Sequence, residues 1–144
     1  MKKISTAQEY IHLVDVGDPE GQDQLKNGIA TEEVWLEILG QRPDLARTIS
    51  HNKNLPLSII RILAANKDPT IRYFIARKRF LPEDLFEQLS RDQDESVRES
   101  IAWNKKAPLE ILERLLTDES PIVSERAKES LGSLDGGSTS DGHG

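Results

Sequence analysis

One pattern occurs three times between residues 55 and 131 of this chain, at a fixed spacing of 26 residues. Each copy opens on a proline, and apolar side chains follow at positions i, i+1 and i+4, which is the spacing of one face of a short helix. These apolar residues are Ile59, Ile60 and Leu63, then Leu85, Phe86 and Leu89, then Ile111, Leu112 and Leu115. A turn and a second apolar helical face complete each copy. Such self-similarity predicts helix-turn-helix units that bury their apolar faces on one another.

The second face of each unit is also apolar, and a weaker fourth copy precedes the three clear ones. The second faces are formed by Ile71, Ile75 and Ala76, by Val97, Ile101 and Ala102, and by Val123 and Ala127. In the weaker copy the two faces are formed by Val34, Trp35 and Ile38 and by Leu45, Ile49 and Ser50. We therefore predict four helical pairs, over residues 30–54, 55–80, 81–106 and 107–131.

The segment that precedes the repeats, residues 1–29, predicts an N-terminal helical cap. Its first helix is expected over residues 4–14, where Ser5 or Thr6 can accept hydrogen bonds from the first amides. A weaker second helix is expected over about residues 20–26. Such a cap would cover the apolar face that the first repeat otherwise exposes.

Proline, short polar residues and glycine mark the predicted helix starts and ends. A proline at the first helical position costs no hydrogen bond, because the first amides of a helix have no partner inside it. We predict that position for Pro56, Pro82 and Pro108 in the first helices and for Pro69 and Pro121 in the second helices. Asp68, Asp94 and Ser120 are the predicted caps of the second helices. Gly132 predicts the end of the last helix, and residues 132–144, rich in Gly, Ser and Asp, predict a disordered tail.

Composition and length favour one soluble, all-α domain. The 144 residues are 36% hydrophobic and 31% charged, with few aromatic side chains. The chain contains no cysteine, which excludes disulfides, thiolate metal sites and cysteine nucleophiles. No apolar run follows the first residues, and no apolar stretch of membrane-spanning length occurs in the sequence. These features predict a cytoplasmic protein with no signal peptide and no membrane span.

Charge is distributed unevenly along the chain. Residues 47–79 hold eight lysines and arginines against one aspartate, a local charge of +7, whereas the whole chain carries -6. The flanking residues 1–46 carry -5, and residues 80–106 and 107–144 carry -3 and -5. A basic region within an acidic protein can attract a partner of opposite charge. The position of the charge is therefore more informative than the acidic isoelectric point.

The cations and several aromatic residues recur where each second helix ends. The three exit segments are His51-Asn52-Lys53-Asn54, Arg77-Lys78-Arg79-Phe80 and Trp103-Asn104-Lys105-Lys106. Since the period is one repeat, we expect these segments to form one edge of the fold. We define the basic ridge as the predicted binding set, which comprises Arg47, His51, Lys53, Arg72, Tyr73, Arg77, Lys78, Arg79, Trp103, Lys105 and Lys106. A cationic surface with exposed aromatics suits carboxylates, phosphates or stacked bases.

Structural roles compete with binding for several of these residues. Lys53, Lys105 and Lys106 follow helix C-termini, where a cation complements the helix dipole without any ligand. Arg72 and its repeat equivalent Arg98 lie four residues after Asp68 and Asp94, and these residues resemble the Asp and Arg ladder that joins neighbouring turns in HEAT-like repeats. Three adjacent cations at residues 77–79 exceed what a helix dipole requires, so we favour binding for them. Trp103 aligns with His51 and Arg77 rather than with core positions, which predicts that it is partly exposed.

The strings LPLSIIRILAANKDPTIRYFIARKRF and LPEDLFEQLSRDQDESVRESIAWNKK resemble the short helical repeats of the leucine-rich repeat variant and HEAT-like families. The shared features are a proline-led first helix, an Asp-Pro turn and an Ile-Arg or Val-Arg start to the second helix. The resemblance covers about residues 30–131 and implies an α-solenoid, a right-handed superhelix of paired short helices. It also implies a binding scaffold and, in some members, a DNA glycosylase. The iron–sulfur module of some leucine-rich repeat variants requires cysteines, which are absent here.

These observations favour a non-enzymatic, monomeric scaffold that binds a protein partner through the basic ridge, as an adaptor or immunity-type protein would. The alternative is a nucleic-acid-binding protein with glycosylase-like activity, supported by the +7 segment, Tyr73 and Trp103. A third possibility is an oligomer in which a neighbour's acidic flank covers the ridge. We predict no cofactor, metal site or catalytic residues, because His12, His51 and His143 lie on different elements and the acidic pairs fall in first helical turns.

Overall fold

The computed structural model describes residues 2–139, with side chains to residue 133, and this part of the chain folds into ten α-helices without a β-strand. The helices are α1 (Ala7–Val16), α2 (Pro19–Asn27), α3 (Glu32–Gln41), α4 (Ala46–Ser50), α5 (Leu57–Ala64), α6 (Pro69–Ala76), α7 (Glu83–Ser90), α8 (Glu95–Trp103), α9 (Leu109–Leu115) and α10 (Pro121–Thr139). A 3-10 turn, Pro43–Leu45, leads into α4. The predicted all-α class is confirmed.

The predicted end of the last helix is corrected by the structure, since α10 continues through Gly132 to Thr139. Gly17 is the one glycine with positive φ among the described residues, so Gly132 does not adopt the left-handed conformation that ends many helices. Residues 140–144 of the predicted disordered tail lie outside the described residues.

The chain divides into two compact units, Met1–Ile75 and Ala76–Gly144, at the end of α6. In the N-terminal unit, Thr6 caps α1 by accepting a hydrogen bond from the Glu9 amide at 3.1 Å. The Glu9 carboxylate in turn accepts one from the Ser5 amide at 2.8 Å. The predicted cap at Thr6 is therefore confirmed, and the first helix is present but spans Ala7–Val16 rather than residues 4–14.

The core of the N-terminal unit is centred on two fully buried aromatic rings. Tyr10 and Trp35 pack edge to face, with ring centroids 5.4 Å apart. Burial raises the pKa of Tyr10 far above its usual value, so its hydroxyl stays neutral. Around them are the predicted core residues Ile38, Leu45, Ile49, Ser50, Ile59, Ile60, Leu63, Ile71 and Ile75, all buried. The sequence placed Trp35 in the core correctly.

Helix α2 begins as α6 does, on an Asp-Pro pair. Asp18 accepts a hydrogen bond from the Gly21 amide at 2.7 Å, and Asp68 accepts one from the Thr70 amide at 2.9 Å. In both helices the proline is the first helical residue. The N-terminal segment and the repeats therefore use the same Asp-Pro cap at a helix N-terminus. Helix α2 forms with this cap although its apolar pattern in the sequence is weak.

Gly28 ends α2 where the chain passes close to the N-terminal segment. The Ile4 amide donates to the Ile29 carbonyl at 2.7 Å, which draws the buried Ile4 side chain over Gly28. A Cβ atom on residue 28 would lie 2.6 Å from Ile4 Cδ1 and 2.5 Å from the Gln24 carbonyl oxygen. Only glycine therefore fits without a shift of the backbone.

We expect Gly28→Ala to lower the free energy of unfolding by about 1–3 kcal/mol through this overpacking. Gly40→Ala is the matched control, because a Cβ there meets nothing within 4 Å and α3 gains a better helix former. Urea unfolding followed by circular dichroism measures both. Equal midpoints for Gly28→Ala and wild type would contradict the close approach of Ile4.

The C-terminal unit contains α7 to α10, and its predicted apolar faces are all buried. These residues are Leu85, Phe86, Leu89, Val97, Ile101, Ala102, Ile111, Leu112, Leu115, Val123 and Ala127. Both helical faces of the repeat pattern are confirmed in this unit. The 26-residue period therefore marks the core positions correctly.

An ion pair joins the turn before α10 to α8 in the C-terminal unit. Arg98 donates from Nε and Nη2 to the two carboxylate oxygens of Asp118, at 2.9 and 3.1 Å, and from Nη1 to the Asp92 carbonyl at 2.7 Å. Both side chains of the pair are only 10% exposed. Burial raises the pKa of Asp118, but hydrogen bonds from Arg98 and from the Ser120 amide, with the guanidinium charge, hold it below its usual range. The ladder-like role foreseen for Arg98 is thus observed.

The prolines of the first helices are displaced by one position from the prediction. Pro56, Pro82 and Pro108 occupy the N-cap, with extended backbone angles such as φ -62° and ψ 152° at Pro56. Their carbonyls accept the first helical hydrogen bonds, so the proline ring remains outside the helix. Ser120 also departs from the prediction, because its buried hydroxyl has no hydrogen-bond partner among the described residues and does not cap α10.

Candidate functional site

Buried asparagines organise the exits of the second helices. In the N-terminal unit Asn52 is fully buried, and its Nδ2 donates to the carbonyls of Leu25 and Gly28 at 2.9 and 3.0 Å. Its Oδ1 accepts from the Asn54 amide at 2.7 Å. This side chain fastens the exit of α4 to the exit of α2, while Lys53 between the two asparagines stays exposed.

Asn104 repeats this arrangement in the C-terminal unit. Its Nδ2 donates to the carbonyls of Ala76 and Lys78 at 2.9 and 2.8 Å, and its Oδ1 accepts from the Lys106 amide at 2.9 Å. The exit of α8 therefore lies against the exit of α6. Asn52 and Asn104 are structural parts of the exit segments and present their neighbours to solvent.

Six predicted ridge residues of the C-terminal unit are brought together by this contact. Their segments, residues 77–79 and 103–106, are adjacent because Asn104 bonds the backbone of the first. The members are Arg77, Lys78, Arg79, Trp103, Lys105 and Lys106. All except Lys78 have exposed side chains. We call the five exposed residues the exit surface.

Lys78 differs from its neighbours because it is half-buried and occupies the repeat position of Asn52 and Asn104. Burial lowers the pKa of Lys78 to about 8. A cation with this environment is a poor candidate for an exposed ligand contact. The 26-residue spacing that aligns Lys78 with two asparagines was the sequence signal that sets it apart from Arg77 and Arg79.

Trp103 is the aromatic centre of the exit surface, with 56% of its area exposed. The guanidinium carbon of Arg126 lies 4.9 Å from the centroid of the indole, within cation–π distance. Two carboxylates hold Arg126 in place, Glu99 at 3.0 Å and Glu129 at 3.0 Å. The expected exposure of Trp103 is confirmed, and its indole contacts Arg126 of α10.

A groove of about 650 Å³ opens beside Trp103, which we call the Trp103 groove. The exit of α8 forms one wall, α10 forms the other, and Ala107 and Leu112 supply apolar floor. Lys105 and Lys106 also line it. Sequence reasoning identified the tryptophan and the lysines but not the groove, because α10 lies about one repeat away along the chain.

Phe80 is a residue that the predicted binding set omitted. It follows Arg79 directly and is 81% exposed, the highest value among the exposed large hydrophobic residues. Its repeat equivalents are the polar Asn54 and Lys106. A phenylalanine at a position that is otherwise polar was the signal that could have identified it.

The remaining ridge residues lie in the N-terminal unit, where two arginines have local structural contacts. Arg47 faces Asp68 at 3.5 Å, and Arg72 donates from Nη1 to the carbonyls of Asn66 and Lys67 at 2.7 and 3.1 Å. Both arginines thus support the turn that precedes α6. This agrees with the structural alternative considered for Arg72.

An aromatic cluster accompanies these arginines in the N-terminal unit. Phe74 packs on His51 with ring centroids 4.1 Å apart and on Tyr73 at 5.4 Å. His51 is exposed, whereas Tyr73 and Phe74 are half-buried. Phe74 was not in the predicted set, and it gives His51 and Tyr73 a packing role beside any role in binding.

Among the side chains that the structure describes, those of residues 2–133, no group of three or more metal-ligating residues is placed to hold an ion. None of the helices within residues 2–139 is both long enough and apolar enough to cross a membrane. Compared with family models, with curated proteins and with solved structures, the chain gives no significant match. The resemblance to leucine-rich repeat variant and HEAT-like repeats therefore stays a prediction drawn from the residues that carry it.

Proposed function

We propose that this protein is a non-enzymatic helical-repeat scaffold, an α-solenoid of four short helical pairs, that binds a protein partner through the basic ridge. The observation that carries the proposal is the exit surface. There a buried asparagine fixes two exit segments side by side, and the five residues of the exit surface are exposed on them. Because the backbone of both segments is already fixed, a partner does not have to order it on binding. An adaptor or an immunity-type protein would use a surface of this kind.

The chemistry of the exit surface supports a partner with acidic groups. Arg77, Arg79, Lys105 and Lys106 are cations on exposed segments, and Trp103 supplies a large apolar contact. Tryptophan and arginine are the residues most enriched at energetically important positions of protein interfaces. The ridge cations of the N-terminal unit, Arg47, Lys53 and Arg72, belong to the same proposal, with Arg47 and Arg72 also engaged in local contacts.

Nucleic acid is the second candidate, favoured by the exposed aromatics Phe80 and Trp103 beside these cations, which suit base stacking and phosphate contacts. A glycosylase-like activity belongs to this alternative. The acidic charge of residues 1–46, 80–106 and 107–144 weakens it, because phosphates would be repelled along most of the chain.

We expect Arg77→Glu with Arg79→Glu to abolish capture of the partner from a lysate of the source cells. Both residues are exposed, so we expect the variant to remain folded, and circular dichroism with thermal melting checks this. Lys78 is left unchanged, because a glutamate there would be half-buried and would confound folding with binding. Lys67→Glu with Lys128→Glu is the matched control, since it makes the same charge change at exposed positions elsewhere.

The capture is run with and without nuclease. A protein retained by wild type and by the control, lost with the double variant and insensitive to nuclease, supports the scaffold proposal. Undiminished capture by the folded Arg77→Glu/Arg79→Glu protein would exclude the exit surface. Loss of all captured material after nuclease treatment would favour the nucleic-acid candidate.

A further inference from the structure

We propose that the Trp103 groove receives an acidic peptide segment of the partner, whose apolar side chain enters between Trp103 and Leu112 while its carboxylates meet Lys105 and Lys106. This inference rests on the proposed function and names the chemistry of the partner's contact segment. It concerns one groove of the C-terminal unit, whereas the proposed function concerns the ridge as a whole.

The apolar part of the groove suits a hydrophobic side chain. Its apolar lining is the exposed part of the Trp103 indole, with half-buried Ala107 and the small part of Leu112 that is not covered, 2% of that residue. The volume, about 650 Å³, is within the range of about 300–1,000 Å³ that ligand clefts occupy. Arg126 and its carboxylate partners support the indole through α10, so this wall is already in place before a ligand arrives.

The charged part of the groove selects acidic residues in the ligand. Lys105 and Lys106 line it and are both exposed. Glu129 is the carboxylate in the lining, and it is paired with Arg126 at 3.0 Å. The net charge at the groove is therefore positive, which favours a segment that carries aspartate or glutamate beside its apolar residue.

A peptide fits this combination better than a nucleic acid does. A single-stranded nucleic acid presents a phosphate at every nucleotide, including those that would lie over the apolar part of the groove. An apolar floor also gains nothing from a phosphodiester backbone. A peptide can place one apolar side chain on the floor and still direct carboxylates to the lysines.

The test uses fluorescein-labelled peptides and fluorescence anisotropy on the full chain at two salt concentrations. The probe is a peptide in which aspartate and leucine alternate. Two comparison peptides carry serine in place of leucine or lysine in place of aspartate. The third comparison ligand is an oligothymidylate. We expect the probe to bind wild type, more weakly at high salt. We expect about tenfold weaker binding to Trp103→Ala and to Lys105→Glu/Lys106→Glu, the loss that about 1.4 kcal/mol of binding free energy produces.

Two control variants keep the result specific to the groove. Leu109→Ala removes an exposed apolar side chain of α9 and Lys128→Glu reverses an exposed cation of α10, and neither residue lines the groove. Both should bind the probe as wild type does. Thermal melting of all variants checks that each is folded.

Three results would overturn the inference: no binding of the probe to wild type, equal binding to folded Trp103→Ala, or equal binding of the serine peptide. Preferential binding of the oligothymidylate would overturn it as well and would favour nucleic acid. If the peptide test fails while capture still depends on Arg77 and Arg79, the groove is wrong and the proposed function stands. If capture is independent of those arginines, the proposed function fails on its own result.

Discussion

Replacing Arg98 with methionine is expected to lower the free energy of unfolding by about 3 kcal/mol, at the lower end of the range of about 3–5 kcal/mol for breaking a buried ion pair. The change leaves the Asp118 carboxylate, which is only 10% exposed, without its guanidinium partner. It also removes the hydrogen bond to the Asp92 carbonyl. The lower end applies because a tenth of each side chain still reaches water. Urea unfolding at pH 7 measures the loss.

The double variant Arg98→Met/Asp118→Leu is the control, because it removes both charges and leaves neither one buried alone. It should be more stable than Arg98→Met, since the unpaired carboxylate causes most of the damage. Equal stability of the two variants would show that the guanidinium contributes by packing and not by pairing.

The same pair makes stability depend on pH in a defined direction. Because the folded state lowers the pKa of Asp118, the contribution is fully present above the ordinary pKa of an aspartate, about 3.9. It is lost as the pH falls through the lowered value, since the unfolded chain then binds the proton more readily. Arg98→Met should therefore lose less stability than wild type between neutral and acidic pH.

Leu89→Ala is the second change with a large expected effect, about 2–5 kcal/mol of unfolding free energy. Leu89 has no exposed surface in α7, and its repeat equivalents Leu63 and Leu115 are also buried. Alanine would lose the apolar transfer free energy and leave a cavity. The melting temperature of the variant, followed by circular dichroism, gives the result.

Leu109→Ala is the matched control for this prediction, because the leucine of α9 is 54% exposed. Surface substitutions of this kind change stability by about 0.5 kcal/mol or less. If Leu89→Ala has the same melting temperature as Leu109→Ala, the apolar face assigned to α7 is wrong.

The helices and the core could be predicted because they follow from local rules. Apolar spacing decides which face of a short helix is buried, and it placed Trp35, Leu89 and Ile111 correctly. Polar caps act over a few residues, so Thr6 and Asp94 were also identified. The predicted solenoid arrangement depends on the rotation from one helical pair to the next, which the spacing of apolar residues does not encode.

The site was harder to predict because its parts are remote in sequence or differ in burial. The Trp103 groove needs α10 opposite the exit of α8, and Arg126 beneath the indole has no counterpart in the repeat pattern. Lys78 has the same charge as Arg79 in the sequence, yet one is half-buried and the other exposed. The proline displacement at Pro56 reflects a choice between two adjacent positions that sequence preferences do not resolve.

The buried asparagines separate the part of each exit segment that holds the fold from the part that meets solvent. Asn104 makes its hydrogen bonds to main-chain atoms, so they do not depend on which side chains occupy positions 103, 105 and 106. Those positions can therefore change identity at little cost to folding. Substitutions at these three positions would therefore change the charge and shape of the exit surface while the hydrogen bonds of Asn104 stay in place.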